Sequence, residues 1–434
     1  MGGGWAGLSA AIELVYHRYP VILLESAGQL GGRARTIHYR DIDIDNGQHL
    51  MLGAYRETLR LLKIMGLHEP RVFDRHRLKL QMRAVNHAAT QITFPCLPAP
   101  LHVIFGLVMA HGLSIHDRWC ALRFCFSLIS DRHKVKTDIP VSDLLKHGGQ
   151  TSKVIDTLWQ PLCLAVLNTP IDIASAEIFT ASLKTAFAHR RSDSDLLYTR
   201  SNLGSILPEP AHRYIEQNGG IVKLHQRVTR LHIEGDKLTG VELSGGEIMH
   251  TGQVILAVPP LTCGELLESH HAMNNITATL AQMEHAPICT VYLQYPSSTK
   301  LTLPMTGLIG TTAQWIFDRG LYGQPGLMAA VISSDGPHMQ WDNETLCLKI
   351  INEIANVFPD WPEPEQSFVI REKRATFLCR TGINAIRPAT ITPVSGCLLA
   401  GDFTATDYPA TLEGAVHSGI KAAHHIIKQY PNIF

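Results

Sequence analysis

The sequence contains no apolar run of the roughly 18 to 20 residues that a membrane-spanning helix requires. None of its nine cysteines forms a Cys-x-x-Cys pair, which argues against a disulfide scaffold or a zinc site and favours a reducing compartment. The formal net charge is zero, so the overall electrostatics gives no reason to expect nucleic acid as a partner. The first residues also lack the basic segment and apolar core of a secretory signal.

The glycines at the beginning of the chain form the clearest motif. Gly2, Gly4 and Gly7 have the G-x-G-x-x-G spacing, which lets backbone amides approach a pyrophosphate with no Cβ atoms between them. Residues 8–16 predict a helix whose positive N-terminal end faces that diphosphate. The pattern predicts a dinucleotide site.

A short strand and an acidic residue follow this motif. Residues 21–24 are all apolar, as in a parallel strand buried on both faces, and Glu25 stands at the carboxyl end of that strand. A carboxylate at this place accepts the ribose hydroxyls of an adenosine and repels a 2′-phosphate. Glu25 therefore weakens the alternative of a plain glycine-rich turn and argues against NADP.

The rest of the chain predicts a discontinuous arrangement. Apolar segments at 101–110 and 115–129 predict helices, and an apolar stretch at 158–170, either a lipid-lining wall or plain core, precedes a predicted helix at 175–188. Strands return between 219 and 258, and residues 288–332 predict a second sheet. The helices at 101–129 either lie in one leaflet of a membrane or form an ordinary buried pair, since length alone does not separate these alternatives. We predict a dinucleotide-binding domain composed of residues 1–75, 205–268 and 390–434. The remaining residues, 76–204 and 269–389, compose a substrate domain.

Several motifs together resemble a known superfamily. Residues 2–35, with Leu399–Asp402 and Thr411–Gly419, are similar to the FAD-dependent amine oxidase and phytoene desaturase superfamily. Further segments narrow the resemblance to its squalene-associated branch, the hydroxysqualene dehydroxylase family: 45–49, 158–163, 168–170, 372–377 and 408–415.

The resemblance implies an α/β fold: a discontinuous, Rossmann-like FAD-binding domain of the GR2 type with an α+β substrate domain. It also implies roles for single residues. Arg33 would meet the flavin phosphates, Glu25 the adenosine ribose and Asp402 the ribityl chain. The other implied cofactor contacts are the backbone of Val228 at the adenine, Gly47 and Gln48 along the isoalloxazine, the Leu412 amide at the flavin N1/O2 edge, and Gly2, Gly4, Gly7, Gly32 and Gly401 in the motifs themselves.

One feature departs from this pattern. The glycine turn of a dinucleotide fold follows a central first strand, yet the sequence has no residues before the turn that could form this strand, so the strand is apparently missing. We expect a misplaced start or a fragment, with poor folding or weak flavin binding. Expression with and without an upstream extension tests this expectation, and equal flavin content in both forms would contradict it.

The activity implied by the resemblance is reductive removal of the hydroxyl of hydroxysqualene, which gives squalene and consumes reduced FAD from an unknown reductant. Glu372, Asp407 and Tyr408 are candidate proton donors. His49, next to Gln48, either meets the cofactor or is a hydrogen-bonded structural histidine. The alternatives are an FAD-dependent desaturase or oxidase of a polyisoprenoid or an amine, or a flavin-free prenyl-lipid carrier on the same fold. We expect a cytoplasmic protein, peripheral on the inner face of the cytoplasmic membrane, because its substrate is a polyisoprenoid lipid.

Overall fold

The computed structural model describes residues 1–39, 42–85, 87–129 and 137–431. The predicted domain segments 1–75, 76–204 and 390–434 each include some residues outside these ranges. Every helix in the described ranges is too short or too polar to cross a bilayer.

The strands in the described part of the chain are β1 (Ile22–Leu24), β2 (Thr36–Tyr39), β3 (Ile42–Asp45), β4 (Met51–Leu52), β5 (Phe73–His76), β6 (Lys79–Ala84), β7 (His87–Thr93), β8 (Leu196–Thr199), β9 (Ile221–Lys223), β10 (Val228–Glu234), β11 (Lys237–Leu243), β12 (Ile248–His250), β13 (Val254–Leu256), β14 (His285–Gln294), β15 (Met305–Ile309), β16 (Trp315–Asp318), β17 (Leu327–Ser333), β18 (Gln366–Phe377) and β19 (Cys397–Leu399).

The α-helices in the same ranges are α1 (Trp5–Tyr16), α2 (Arg56–Ile64), α3 (Glu69–Val72), α4 (Leu101–Val108), α5 (Ile115–Ile129), α6 (Val141–His147), α7 (Ser152–Val154), α8 (Gln160–Leu167), α9 (Ala176–Phe187), α10 (Leu203–Ile206), α11 (Pro208–Gln217), α12 (Pro260–Leu267), α13 (Asn274–Ala281), α14 (Asn343–Val357) and α15 (Leu412–Gln429).

Two parallel ladders form the framework of the glycine motif. β1 pairs with β9, and β13 pairs with β19. Met1 and Gly2 lie between the two ladders: the Gly2 amide donates to the Leu24 carbonyl at 2.8 Å, and the Ala257 amide donates to the Met1 carbonyl at 2.8 Å. These two residues therefore occupy the central position of the parallel arrangement and lead directly into α1.

Helix α1 is buried on almost all of its surface, because it packs between the ladders and α15. Leu8 and Ile12 share one apolar cluster with β1 and α15, whereas Ala6 and Ala10 share another with β13, β19 and α15. The small side chains on the second face let α15 approach closely. The N-terminal ends of both helices face the same cavity.

The second sheet has seven strands in the order β18-β14-β17-β16-β15-β6-β7, and only the β15–β6 pair is parallel. Its side chains alternate between two environments, as the period of a strand requires. Val291, Ile316 and Ala330 pack against α14 in one apolar cluster. Their neighbours on the opposite face, such as Trp315 and Val331, line the cavity instead.

Candidate active site

One large cavity, of about 1210 Å³, lies between the ladder ends and the seven-stranded sheet. Its polar end is formed by the glycine turn, the residues after β1, the turn at 46–49 and the loop 401–412. Its other end is lined mainly by apolar side chains of α8, α9 and the sheet. The cavity can therefore hold a polar group at the first end and an apolar molecule at the second end.

The glycines of the motif have distinct structural roles. Gly2 has a φ of +94°, and a Cβ atom there would lie 2.2 Å from the Ala257 carbonyl oxygen. A Cβ atom on Gly7 would lie 1.9 Å from the Gly2 carbonyl oxygen, so Gly7 allows α1 to pack on the turn, and it does not line the cavity. Gly4 does line the cavity, and a Cβ atom there would have its nearest neighbour only at 3.9 Å. The turn thus leaves an open cradle of backbone at the start of α1.

Glu25 is fixed at the edge of this cradle by backbone amides. Its Oε2 accepts from the Gly3 amide at 2.6 Å and its Oε1 accepts from the Ala27 amide at 2.7 Å. These bonds hold the carboxylate at the carboxyl end of β1, where it lines the cavity. Val228, the first residue of β10, lines the same end.

Arg33 connects the cradle with two other parts of the chain. Its guanidinium donates to Asp402 Oδ1 at 2.6 Å and to the Ala375 carbonyl at 2.6 Å. Ala375 belongs to a bulge in β18, because Glu372 pairs with Ile288 and Thr376 pairs with Ala286, which leaves residues 373–375 opposite a single residue. Bulges of this kind redirect side chains and are frequent beside active sites.

Asn168 holds this bulge in place from the end of α8. It has a φ of +49°, and its side-chain amide donates to the Pro287 carbonyl at 3.1 Å and to Thr376 Oγ1 at 3.0 Å. Its Oδ1 accepts from the Ser334 amide at 2.6 Å. The sequence indicates Asn168 only as part of a family motif, and its role as a bridge among three elements follows from the structure.

Gln48 is fixed by a buried polar network that the sequence does not predict. Its Oε1 accepts from Arg319 at 2.9 Å, and its Nε2 donates to the Tyr322 hydroxyl at 2.7 Å. The Arg319 side chain is fully buried, lies 3.4 Å from the Asp45 carboxylate and stacks on the Tyr322 ring with its guanidinium carbon 4.4 Å from the centroid. Burial raises the pKa of Tyr322 to about 12. Nothing in the local sequence around Arg319 distinguishes it from a surface arginine.

His49 lines the cavity beside Gln48. Its Nδ1 lies 3.0 Å from the Gly47 carbonyl, which accepts a hydrogen bond, so Nδ1 is the protonated nitrogen. Burial lowers the pKa of His49, which favours the neutral ring with a free lone pair on Nε2. A neutral imidazole in this place is an acceptor rather than an acid.

The loop 402–408 is held by Arg387, another residue that sequence reasoning misses. The guanidinium of this arginine donates to the carbonyls of Asp402 at 2.9 Å, Tyr408 at 2.8 Å and Phe403 at 3.4 Å. Its remaining bonds go to Thr406 Oγ1 at 2.9 Å and Asn384 Oδ1 at 3.2 Å. All five N–H donors of an arginine are thereby used.

Helix α15 begins where this loop ends. The Thr411 hydroxyl accepts from the Gly414 amide at 3.1 Å and caps the helix, so Leu412 lies in its first turn beside the cavity. The carboxylate of Glu413 points away from the cavity, where it accepts from the Glu57 and Thr58 amides and caps α2. The cavity is thus flanked by the positive N-terminal ends of both α1 and α15.

The three candidate proton donors all line the cavity. Glu372 Oε2 accepts from Asn46 Nδ2 at 3.1 Å, which ties the β18 bulge to the turn at 46–49. Asp407 is exposed and has a φ of +62°. Tyr408 is half-buried against His417, and burial raises the pKa of its phenol.

These residues fit a flavin dinucleotide. The open backbone cradle at Gly4 and the start of α1 can accept a pyrophosphate, and the fixed carboxylate of Glu25 can accept ribose hydroxyls. Arg33 and the start of α15 offer further donors along the same wall. The remainder of the cavity is lined mainly by apolar side chains and leaves room for an apolar molecule.

Sequence comparison places the chain among flavoproteins. The family described as flavin containing amine oxidoreductase matches residues 5–427. Hydroxysqualene dehydroxylases from Rhodopseudomonas palustris and Zymomonas mobilis are each 26% identical over 98% of this chain and 97% of their own length. The 15-cis-phytoene desaturase of Solanum lycopersicum is 23% identical over 99% of this chain and 77% of its own.

Structural comparison gives the same fold. An oxidoreductase from Methanosarcina mazei superimposes with a TM-score of 0.76 at 15% identity, with 98% of each chain covered. At this identity the likeness concerns the fold alone.

Proposed function

Because this chain belongs to the flavin-containing amine oxidoreductase family, we propose that it reductively removes the hydroxyl group of hydroxysqualene and releases squalene. The observation that carries the proposal is the match to hydroxysqualene dehydroxylases over 98% of this chain and 97% of each relative. The chain is an FAD-dependent oxidoreductase, so the predicted cofactor and enzyme class are confirmed.

In the proposal, the polar end of the cavity holds FAD. Gly2 and Gly4 present backbone to the pyrophosphate, and Glu25 accepts the ribose hydroxyls. Gly32, Gly47, Gln48, Val228, Gly401, Asp402 and Leu412 have the places that the family resemblance implies. All the implied cofactor residues except Gly7 line the cavity. The Arg33 guanidinium donates one N–H each to Asp402 and Ala375, so its other N–H groups can donate to the phosphates.

The reaction balances with one hydride and one proton. The carbon–oxygen bond of the substrate breaks, a carbon–hydrogen bond forms, and the hydroxyl leaves as water after it takes up a proton. Bound FAD, once reduced by an external donor, supplies the hydride. The protein binds the lipid in the apolar end, keeps water away from the reacting carbon and presents an acid to the hydroxyl.

We expect Glu372→Gln to lower kcat by about 10²- to 10⁴-fold, the usual contribution of a general acid, while flavin content stays unchanged. Glu372 is the candidate that the Asn46 contact holds beside the turn at 46–49, whereas Asp407 is exposed. Stopped-flow reoxidation of the reduced enzyme by substrate measures this step. If Glu372→Gln, Asp407→Asn and Tyr408→Phe all keep full turnover, none of these residues is the acid.

The proposal is tested with reduced FAD and hydroxysqualene under anaerobic conditions, followed by gas chromatography for squalene. Squalene that appears together with flavin reoxidation supports the dehydroxylase.

The match to phytoene desaturase supports a second candidate, an FAD-dependent desaturase of a polyisoprenoid. Unchanged hydroxysqualene, with formation of a conjugated polyene from an apolar substrate under oxidising conditions, would favour that second candidate.

We further propose that α4 and α5 contact a membrane surface. Their outward faces expose Phe105 at 47%, Val108 at 45% and Trp119 at 65%. Arg118 lies beside them and donates to the Val108 and Leu113 carbonyls, which satisfies backbone groups at the end of α4. Apolar side chains next to a cation are typical of segments that rest on a lipid surface.

We expect the double variant Phe105→Ser/Trp119→Ser to lose most of its sedimentation with phospholipid vesicles, because it removes the two large aromatic side chains of this face. A matched control is Ile248→Ser/Leu348→Ser, which changes exposed apolar residues elsewhere. Equal sedimentation of all three proteins would show that α4 and α5 do not form the contact.

A further inference from the structure

A second, much smaller cavity of about 60 Å³ lies beside the apolar end of the large one. It is lined by residues of α4, α5, α8, α9 and β6 and of the segments next to them, and we call it the bay. Leu80, Leu162, Leu183 and Phe187 line both cavities, so their side chains form a wall that the bay shares with the main cavity. The bay is therefore an extension of the lipid end of the active site.

The bay offers no polar recognition. Its lining side chains are apolar except for that of Lys184. The indole N–H of Trp159 donates to Gln150 Oε1 at 2.8 Å, so the polar atom of this lining residue is already satisfied within the protein. Burial raises the pKa of the Cys125 thiol to about 12, so this side chain behaves as a small apolar group. An apolar cavity without polar partners stays dry and favours an apolar occupant.

We infer that the bay receives the terminal dimethyl-branched end of one half of the substrate chain. This inference rests on the proposed function. A triterpene alcohol with its hydroxyl near the middle has two long apolar halves, and both must extend away from the reacting carbon. The bay lies at the end of the lipid side of the cavity, and its size suits a compact branched terminus rather than a continuous chain.

Helix α4 allows a controlled test, because its two faces differ. Val103 is buried and lines the bay, whereas Val108 on the same helix is 45% exposed and does not. Val103→Phe therefore places a ring in the bay, and Val108→Phe makes the same chemical change on the outer surface. The predicted cofactor contacts lie in other parts of the chain, so flavin content is expected to stay unchanged in both variants.

The first experiment uses a squalene analogue that carries a photoreactive diazirine at one terminal methyl group, with the flavin-loaded full chain. We expect cross-links in peptides that contain Val103, Leu107 or Trp159. With the analogue supplied in detergent micelles, so that no membrane contact contributes, Val103→Phe should reduce them about tenfold, and Val108→Phe should leave them unchanged. Cross-links found only on the seven-stranded sheet, or equal labelling in both variants, would overturn the inference.

The second experiment measures conversion of hydroxysqualene. Val103→Phe should raise KM about tenfold with little change in the flavin-to-protein ratio or in Tm. If Val103→Phe does not fold, Leu128→Ala is measured instead, because it enlarges the bay. Leu128→Ala should raise the turnover of an analogue with bulkier end groups relative to the turnover of hydroxysqualene. Unchanged selectivity in Leu128→Ala would contradict the inference. Failure of wild-type protein to form squalene would instead contradict the proposed function on which the inference rests.

Discussion

The variant Arg319→Met is expected to be less stable than the wild type by about 3 to 5 kcal/mol, the usual cost of leaving a buried charge without its partner. Arg319 is fully buried, and the side chain of Asp45 is 2% exposed. Without the guanidinium, the Asp45 carboxylate keeps the Leu203 amide at 2.8 Å but loses the ion-pair partner that it has in the described part of the chain. Gln48 also loses the donor that fixes its orientation.

Urea unfolding, followed by far-UV circular dichroism and by flavin fluorescence, measures this loss. The double variant Arg319→Met/Asp45→Asn should recover part of it, since it removes the uncompensated charge as well. Arg230→Met, at an exposed position of β10, serves as the control and should change stability by less than about 0.5 kcal/mol. If Arg319→Met lowers the free energy of unfolding by less than about 1 kcal/mol, water or a rearranged side chain compensates the charge of Asp45.

The second large effect is expected for Gly7→Ala, which should be purified largely without flavin. The added methyl group would lie 1.9 Å from the Gly2 carbonyl oxygen and 3.2 Å from the Ala257 side chain. Both neighbours belong to the packed centre of the parallel arrangement, so α1 must move away from the turn. Such a shift displaces the helix N-terminus from the pyrophosphate position, where close packing is needed.

The absorbance ratio at flavin and protein wavelengths after gel filtration measures flavin content. Gly264→Ala is the matched control, because a Cβ atom at that helical position has no neighbour within 4 Å. An alanine in a helix is also favoured over a glycine by about 1 kcal/mol, so this control should fold at least as well as the wild type. Full flavin content in Gly7→Ala would show that the turn can open without loss of the site.

The parts of the site that are predictable from the sequence are those that depend on short local sequence patterns. The glycine spacing, the apolar strand before Glu25 and the glycine-rich start of α15 each depend on neighbours along the chain, and the structure brings all three to one cavity. The α/β class and the second sheet follow from the same kind of local periodicity.

The residues that sequence reasoning misses act across long separations. Arg319 bonds to residues more than 100 positions away, and Arg387 bonds to a loop that follows a further strand. A charged side chain has the same local sequence pattern whether it is exposed or buried, so burial of these two arginines could only be found from the tertiary structure. The bulge in β18 is similar, because it is defined by the register with β14 rather than by the residues 373–375 themselves.

The arginine that holds the loop 402–408 has a consequence for how the cofactor arrives. Three carbonyls and a hydroxyl of this loop are fixed by Arg387 through bonds that are internal to the protein. A wall that is already rigid loses little conformational entropy when a ligand meets it, so more of the interaction energy is available for affinity. The loop should therefore keep the same conformation in protein stripped of flavin, and cofactor binding should need little rearrangement of this wall.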